Sequence, residues 1–232
     1  MSASIGDICV VACAEAFRTH RSVLASPMAP IPKLGVRLAR RTFAPQLVET
    51  DGEAHLVDLD GQRIGWMPYE RVFDIVWNGA RHVMMGASQI DRHGNQNISA
   101  IGEHHRPKVQ LLGVRGAPGN TACHRTSYWV SAHSNRVFVP EVDVVSGVGT
   151  NRGAQSLGGV ITNLGVFDFE GPHGQMRVVS LHPGVTLDEV QQRTGFEVHA
   201  GPESSTTRIP TPAELELLDL LDPDRVIRNS VQ

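Results

Sequence analysis

Apolar residues recur at helical spacing across residues 7–17, which predicts a helix with one face turned to a core. The short run Val23-Leu24-Ala25 that follows predicts a strand. Pro27, Pro30 and Pro32 then interrupt the chain, and a second helix is expected over residues 33–42, with Arg37, Arg40 and Arg41 on its solvent side. Turns are expected at Asp51-Gly52 and Asp60-Gly61, and a further helix over residues 69–77, opened by Pro68. From residue 82 the pattern changes to short unbroken apolar runs at 82–85, 109–112, 137–139, 142–145, 160–164 and 176–181. Runs of this kind suit strands buried on both faces, as in a helix-covered sheet. Two helix starts carry the capping-box pattern, Thr186 with Glu189 and Thr211 with Glu214, and the second has Pro212 at its first helical position. The pattern predicts an α/β fold: an open, mostly parallel sheet covered by helices, in one domain over residues 1–232 with a helical C-terminus.

Composition narrows the function more than the fold. Of 232 residues, 41% are hydrophobic and 19% charged, as in an ordinary globular protein, and the net charge of −3 offers no basic field for nucleic acid or a membrane surface. The apolar stretch over residues 5–15 contains Asp7, lacks a basic flank and is too short to span a bilayer, so the cytoplasm is expected. Cys9 and Cys13 stand four apart on one helix face among small apolar residues, which predicts burial; no metal is assigned to them or to Cys123.

Candidate chemistry gathers in two glycine-rich segments. The first runs Gly86-Ala87-Ser88-Gln89-Ile90-Asp91 and on to Gly94-Asn95-Gln96-Asn97; the second runs Gly113-Val114-Arg115-Gly116-Ala117-Pro118-Gly119-Asn120. Glycine after a strand lets a ligand approach the main chain and leaves N–H groups free, and ligands of open α/β sheets sit at the carboxyl ends of strands. From spacing alone plain turns are the better account of these glycines. Neither segment is a Rossmann fingerprint or a P-loop.

These segments resemble class I CoA-transferase β subunits. Gly86-Ala87-Ser88-Gln89-Ile90-Asp91 with Gly94-Asn95 is similar to their G-A-x-Q-[VI]-D-x-x-G-N stretch, and Gly113 to Ala117 to their following glycine loop. Val160-Ile161-Thr162-Asn163-Leu164-Gly165-Val166-Phe167 resembles their V-I-T-D-L-x-V-F strand, with Asn163 where Asp is usual; Pro183-Gly184-Val185-Thr186 resembles their helix start. The likeness covers most of the chain in order. Thr126-Ser127-Tyr128-Trp129-Val130 and Leu164 through Phe169 are similar to the branch in which water opens the remaining carbocycle of a steroid-ring CoA thioester. The resemblance implies a class I CoA-transferase-like sheet, an acyl-CoA substrate with no separate cofactor, and an α subunit as partner in an α2β2 enzyme. It also implies substrate or CoA contacts from Gly86, Ser88, Gln89, Gly113, Arg115, Gly116 and Asn120.

One departure bears on reaction type. The family's transferases place a nucleophilic Glu two residues before a glycine, in an S-E-x-G motif; aligned on Gly52, that position here is Thr50. Glu49, Asp51 and Glu53 are offset, and one residue of offset in an extended segment turns a side chain to the other face. A hydroxyl is a poor nucleophile without a base, so water becomes the expected acceptor and the resemblance implies a catalytic carboxylate on the α subunit. Two other readings stay open: a true transferase using Glu49 or Asp51, and a scaffold subunit without chemistry. Other residues are weaker candidates. His104 and His105 read as an exposed turn with side chains pointing apart, and Ser88 lacks the second glycine of a nucleophile elbow. Arg115 could pair with a phosphate or carboxylate or simply face solvent.

Overall fold

A computed structural model describes residues 3–18, 24–50, 55–68, 71, 74 and 81–231. Helix α1 (Ile5–Glu15) begins at a complete capping box, in which the Ser4 hydroxyl accepts from Asp7 N–H while the Asp7 carboxylate accepts from Ser4 N–H. Cys9 and Cys13 are fully buried on it, and burial pushes the Cys9 thiol up to about 12. Helix α2 (Pro30–Thr42) starts three residues earlier than expected, because Pro30 and Pro32 sit in its first turn, where no N–H is missed. The two helices cross closely at Gly35, where a Cβ would stand 2.7 Å from Cys13 Cβ. Three residues on α2 depart from expectation: Arg37 and Arg40 are not on a solvent face but reach the buried Glu49, and Arg41 is half-buried against Asp60.

The helices cover one side of a ten-stranded sheet. Its strands are β1 (Leu24–Pro27), β2 (Val48–Thr50), β3 (His55–Val57), β4 (Arg63–Trp66), β5 (Arg81–Met85), β10 (Arg125–Val130), β11 (Ser156–Thr162), β12 (Gly165–Asp168), β13 (Arg177–Leu181) and β14 (His199–Thr206). The order is β14-β13-β12-β11-β10-β5-β1-β2-β3-β4. The central strands β2-β1-β5-β10-β11 are parallel, the β11-β12-β13 and β2-β3-β4 flanks are antiparallel, and β14 returns parallel to β13. Four short strands form two separate ribbons, β6 (Gln89–Ile90) with β7 (Gln96–Asn97) and β8 (Ala100–Ile101) with β9 (Val109–Gln110).

Alternation along the central strands divides the core in two. Met84, Trp129 and Ile161 face α1 and α2, whereas Val83, Met85, Tyr128, Val130 and Val160 face the opposite side, where α3 (Ala117–Cys123) and the loops after β5 pack. Helix α4 (Leu187–Gln192) keeps the Thr186 cap, and α5 (Pro212–Leu221) keeps the full capping box of Thr211 and Glu214. Beyond α5, the fully buried Arg228 binds Asp7 of α1 at 2.9 Å along with Asp219 and Asp222, closing the chain's two ends on each other.

Three expected strands are not as the apolar runs suggested. Residues 109–112 give only the exposed β9, and residues 137–139 and 142–145 form no named strand; Phe138 makes an isolated bridge to Ile90. An unbroken apolar run fills a loop core as readily as a strand. The expected helix over residues 69–77 and the Asp51-Gly52 turn lie outside the described residues, apart from helical Arg71 and Asp74.

Candidate active site

The register of three parallel strands places polar groups at one spot. Ser26 of β1 pairs with Val83 of β5, and β2 runs beside β1 with Leu24 opposite Val48 and Ala25 opposite Glu49, which sets Thr50 next to Ser26. The Thr50 hydroxyl lies 3.0 Å from Ser26 Oγ, and both residues are fully buried. Arg81, at the start of β5, donates from Nε to Ser26 Oγ at 2.7 Å and from Nη1 to Asn120 Oδ1 at 3.3 Å. Asn120 belongs to α3, turns its amide toward Met85 Sδ, and its backbone N–H donates to Gly116 O at 2.9 Å. Thr50, Ser26, Arg81, Asn120 and Gly116 therefore form one continuous polar path on the α3 side of the sheet.

Glu49 is excluded from that path. Its carboxylate is buried on the α2 side, 3.3 Å from Arg37 Nε and 3.2 Å from Arg40 Nη1, and burial lifts its carboxyl above the usual range despite the two arginines. Asp51 and Glu53 lie outside the described residues.

The second glycine segment forms an exposed loop running into α3. Gly113 (φ 87°) and Arg115 (φ 47°) both take left-handed backbone, rare for a side chain such as that of Arg115. Gly116 is exposed, and its amide has no acceptor among the described residues. Around it Val109, Leu112 and Val114 are exposed, Leu112 to 87%. The first segment is spent differently. Gly86 follows β5 directly and is exposed, with Ser88 half-buried beyond it. Gln89 is buried: its amide donates to Asp143, and its oxygen accepts from Asn97 Nδ2 and Asp143 N–H. Asp91 caps its own turn through the N–H groups of His93 and Asn95. Gln89 thus locks the loop rather than offering a free amide to a ligand.

Ser26 and Arg81 were missed in the sequence. Each sits at a strand position where a lone polar residue carries no pattern, and only the register brings them to Thr50. His104 and His105 are exposed in a turn, although their ring centroids are 5.5 Å apart rather than on opposite faces. A cavity of about 480 Å³ opens on the α1 side between that helix and β11–β14; neither the polar path from Thr50 to Gly116 nor the two glycine segments line it.

Comparison with known proteins agrees with this geometry. The chain is 50% identical over 233 residues to the protein named cholesterol ring-cleaving hydrolase IpdB subunit from Rhodococcus jostii (strain RHA1), with 94% of this chain and 92% of that protein covered. A chain of the crystal structure of Rhodococcus jostii RHA1 IpdAB superposes with a TM-score of 0.92 at 48% identity, over 100% of this chain and 99% of the other. Glutaconate coenzyme A-transferase from Acidaminococcus fermentans shares the fold at a TM-score of 0.84 and 19% identity, with 98% of each chain covered. The Coenzyme A transferase model matches residues 73–193, from before β5 to the end of α4. With the parallel core, the glycine loop before α3 and these matches in agreement, the chain belongs to the coenzyme A transferase family.

Proposed function

We propose that this chain is the β-type subunit of a heteromeric hydrolase that opens the last carbocyclic ring of a cholesterol-derived CoA thioester. The catalytic carboxylate stands on an α subunit, and the assembly is α2β2. The observation that carries the reading is Thr50, a buried hydroxyl bonded to Ser26 at the place where transferases of the family hold their nucleophilic Glu. Glu49 faces the other side between two arginines, which speaks against its use as a substitute. With Thr50 at the place of that carboxylate, water is the acceptor and hydrolysis replaces transfer. The exposed Gly116 amide, with Leu112 and Val114 beside it, supports a site completed by thioester and partner, since such apolar exposure marks an interaction surface. In this reading Gly86, Ser88, Gly113, Arg115 and Asn120 contribute contacts to the substrate or its CoA, and Gln89 braces the first loop.

We further take the chain to be one domain working in the cytoplasm. No described helix is long and apolar enough to cross a membrane, and all three cysteines are free thiols. The test is reconstitution. The purified chain alone should show no turnover of a steroid-ring CoA thioester, and addition of its α subunit should restore it. In labelled water without an acceptor acid, solvent oxygen should enter the new carboxylate. Robust turnover by the isolated chain, or CoA transfer to a second acid, overturns the reading.

A further inference from the structure

Two buried cations in this chain are treated in opposite ways. Arg228 is ringed by Asp7, Asp219 and Asp222. Arg81 is 7% exposed, yet among the described residues its hydrogen bonds go only to the neutral oxygens of Ser26 and Asn120, and no carboxylate lies within 4.0 Å of it. Among the described residues its Nη2 makes no hydrogen bond, and that atom is not buried as an orphan. A buried orphan stands next to it. His124 falls in register beside Arg81, since Arg125 pairs with His82; it is 1% exposed, and neither ring nitrogen has a hydrogen-bond partner among the described residues. Burial and the Arg81 charge hold this histidine neutral, near 4, so it adds no competing positive charge. A buried guanidinium without a counter-ion is costly, and the planar fork that remains open matches a carboxylate.

We infer that Arg81 is the seat of a carboxylate in the assembled enzyme, an anion that docks on its open Nη2 edge beside Ser26, Thr50 and His124. The inference deepens the function proposed above and rests on it for the setting, a site shared with an α subunit and an acyl-CoA. The carboxylate comes either from the acyl chain of the substrate or from a side chain of the α subunit; the chemistry of the seat is the same.

The test supplies the missing anion from within. In Asn120→Asp a carboxylate oxygen replaces the amide oxygen 3.3 Å from Arg81 Nη1 and satisfies the cation internally. Two titrations are then compared between wild type and variant. One titrates the assembled complex with succinate as the carboxylate probe, and the other titrates this chain with its α subunit. A substrate-borne carboxylate predicts at least a tenfold loss of succinate affinity with unchanged subunit association. A partner-borne carboxylate predicts at least a tenfold weaker association. A thermal midpoint equal to or above that of wild type shows that the variant is folded; if it is not, Arg81→Lys, which keeps the charge and loses the fork, is measured in the same way. If neither affinity moves, Arg81 is only a strut between Ser26 and Asn120 and the inference is overturned. Neither titration needs turnover, so failure of the wild-type complex to open a steroid-ring thioester counts against the function and not against the seat.

Discussion

Glu49 and Thr50 are adjacent in β2 and serve opposite sides of the sheet: the Glu49 carboxylate lies 3.2 Å from Arg40 Nη1 on the α2 side, and the Thr50 hydroxyl lies 3.0 Å from Ser26 Oγ on the α3 side. A one-residue shift thus separates a structural carboxylate from the site, as the two-residue period of a strand requires. Glu49→Gln should cost about 2–3 kcal/mol, toward the low side for breaking a buried pair because Arg37 and Arg40 keep some access to water. Turnover per folded complex should stay within about twofold. Urea unfolding and activity of the same preparation check both halves. Hydroxylamine added during turnover should leave Glu49 unmodified.

Gly116 should be needed for chemistry and not for folding. Its backbone is ordinary (φ −86°, ψ 1°), and an added Cβ would meet only the Asn120 side chain, at 3.6 Å. A methyl there is tolerated by the fold but stands against whatever approaches the exposed amide. If that amide holds the thioester oxygen, Gly116→Val should lower turnover by roughly 10²–10³, the scale of losing one oxyanion donor. Subunit assembly and thermal midpoint should stay near wild type. Wild-type turnover in the variant would reduce Gly116 to a turn residue.

The Arg228 cluster should be a major anchor of stability. Its guanidinium meets Asp7 and Asp219 at 2.9 Å and Asp222 at 3.3 Å, and Asp7 and Asp222 are themselves buried. Burial opposes the charge on Asp7, yet hydrogen bonds from Ser4 and Arg228 bring its carboxyl below the usual range. Arg228→Met leaves the buried Asp7 and Asp222 without their cation, Asp219 keeping Arg225, and should cost about 3–5 kcal/mol. Calorimetry should show the loss, and Asp7→Asn in the Arg228→Met background should recover part of it.

Acid should weaken the fold in a defined window. Burial, aided by Arg193, holds His133 near 3 against an ordinary 6.5, while its ring is hydrogen-bonded to Thr162 and Thr194 and stacked on Phe138 at 3.8 Å. His124 is held near 4. For a depressed histidine the unfolded chain takes up the proton first, so stability is complete above 6.5 and falls as pH drops from there toward 3–4. Glu214 adds a lower step: hydrogen bonds from Arg208 hold it near 2 against 4.5, so its contribution is present above 4.5 and is lost as pH falls toward 2. Urea midpoints measured from pH 7.5 to 4.5 should decline, and His133→Gln should flatten that decline while lowering stability at pH 7.5. An unchanged slope in the variant would place the proton uptake elsewhere.

Much of this architecture was legible because it rests on local signals. The apolar spacing of α1, the cap at Thr211 and the run that becomes β5 each fix a dihedral pattern within a few residues. Residues 137–139 and 142–145 misled for the converse reason, since an apolar run records burial and says nothing of what hydrogen-bonds to it. At the site, the replacement of Glu by Thr50 and the loop at Gly116 could be read from a family pattern. Arg81 could not: a charge at the edge of an apolar run reads as solvent-facing, and its burial follows from the packing of α3, 36 to 42 residues downstream. The stretch around Gln89 matches a binding pattern, whereas the bonds of its carboxamide with Asn97 and Asp143 follow from the fold of the loop and carry no local signal.

The bond from Arg228 to Asp7 also sets a timetable. A ribosome releases Asp7 well before Arg228, which lies 221 positions further along the chain. Until then α1 carries a carboxylate that its final surroundings bury without a counter-charge, and its apolar face cannot be sealed from below. The nascent chain must therefore keep α1 waiting, open to chaperones, while the sheet assembles around it. Burial of α1 is thereby coupled to the synthesis of a segment more than two hundred residues downstream.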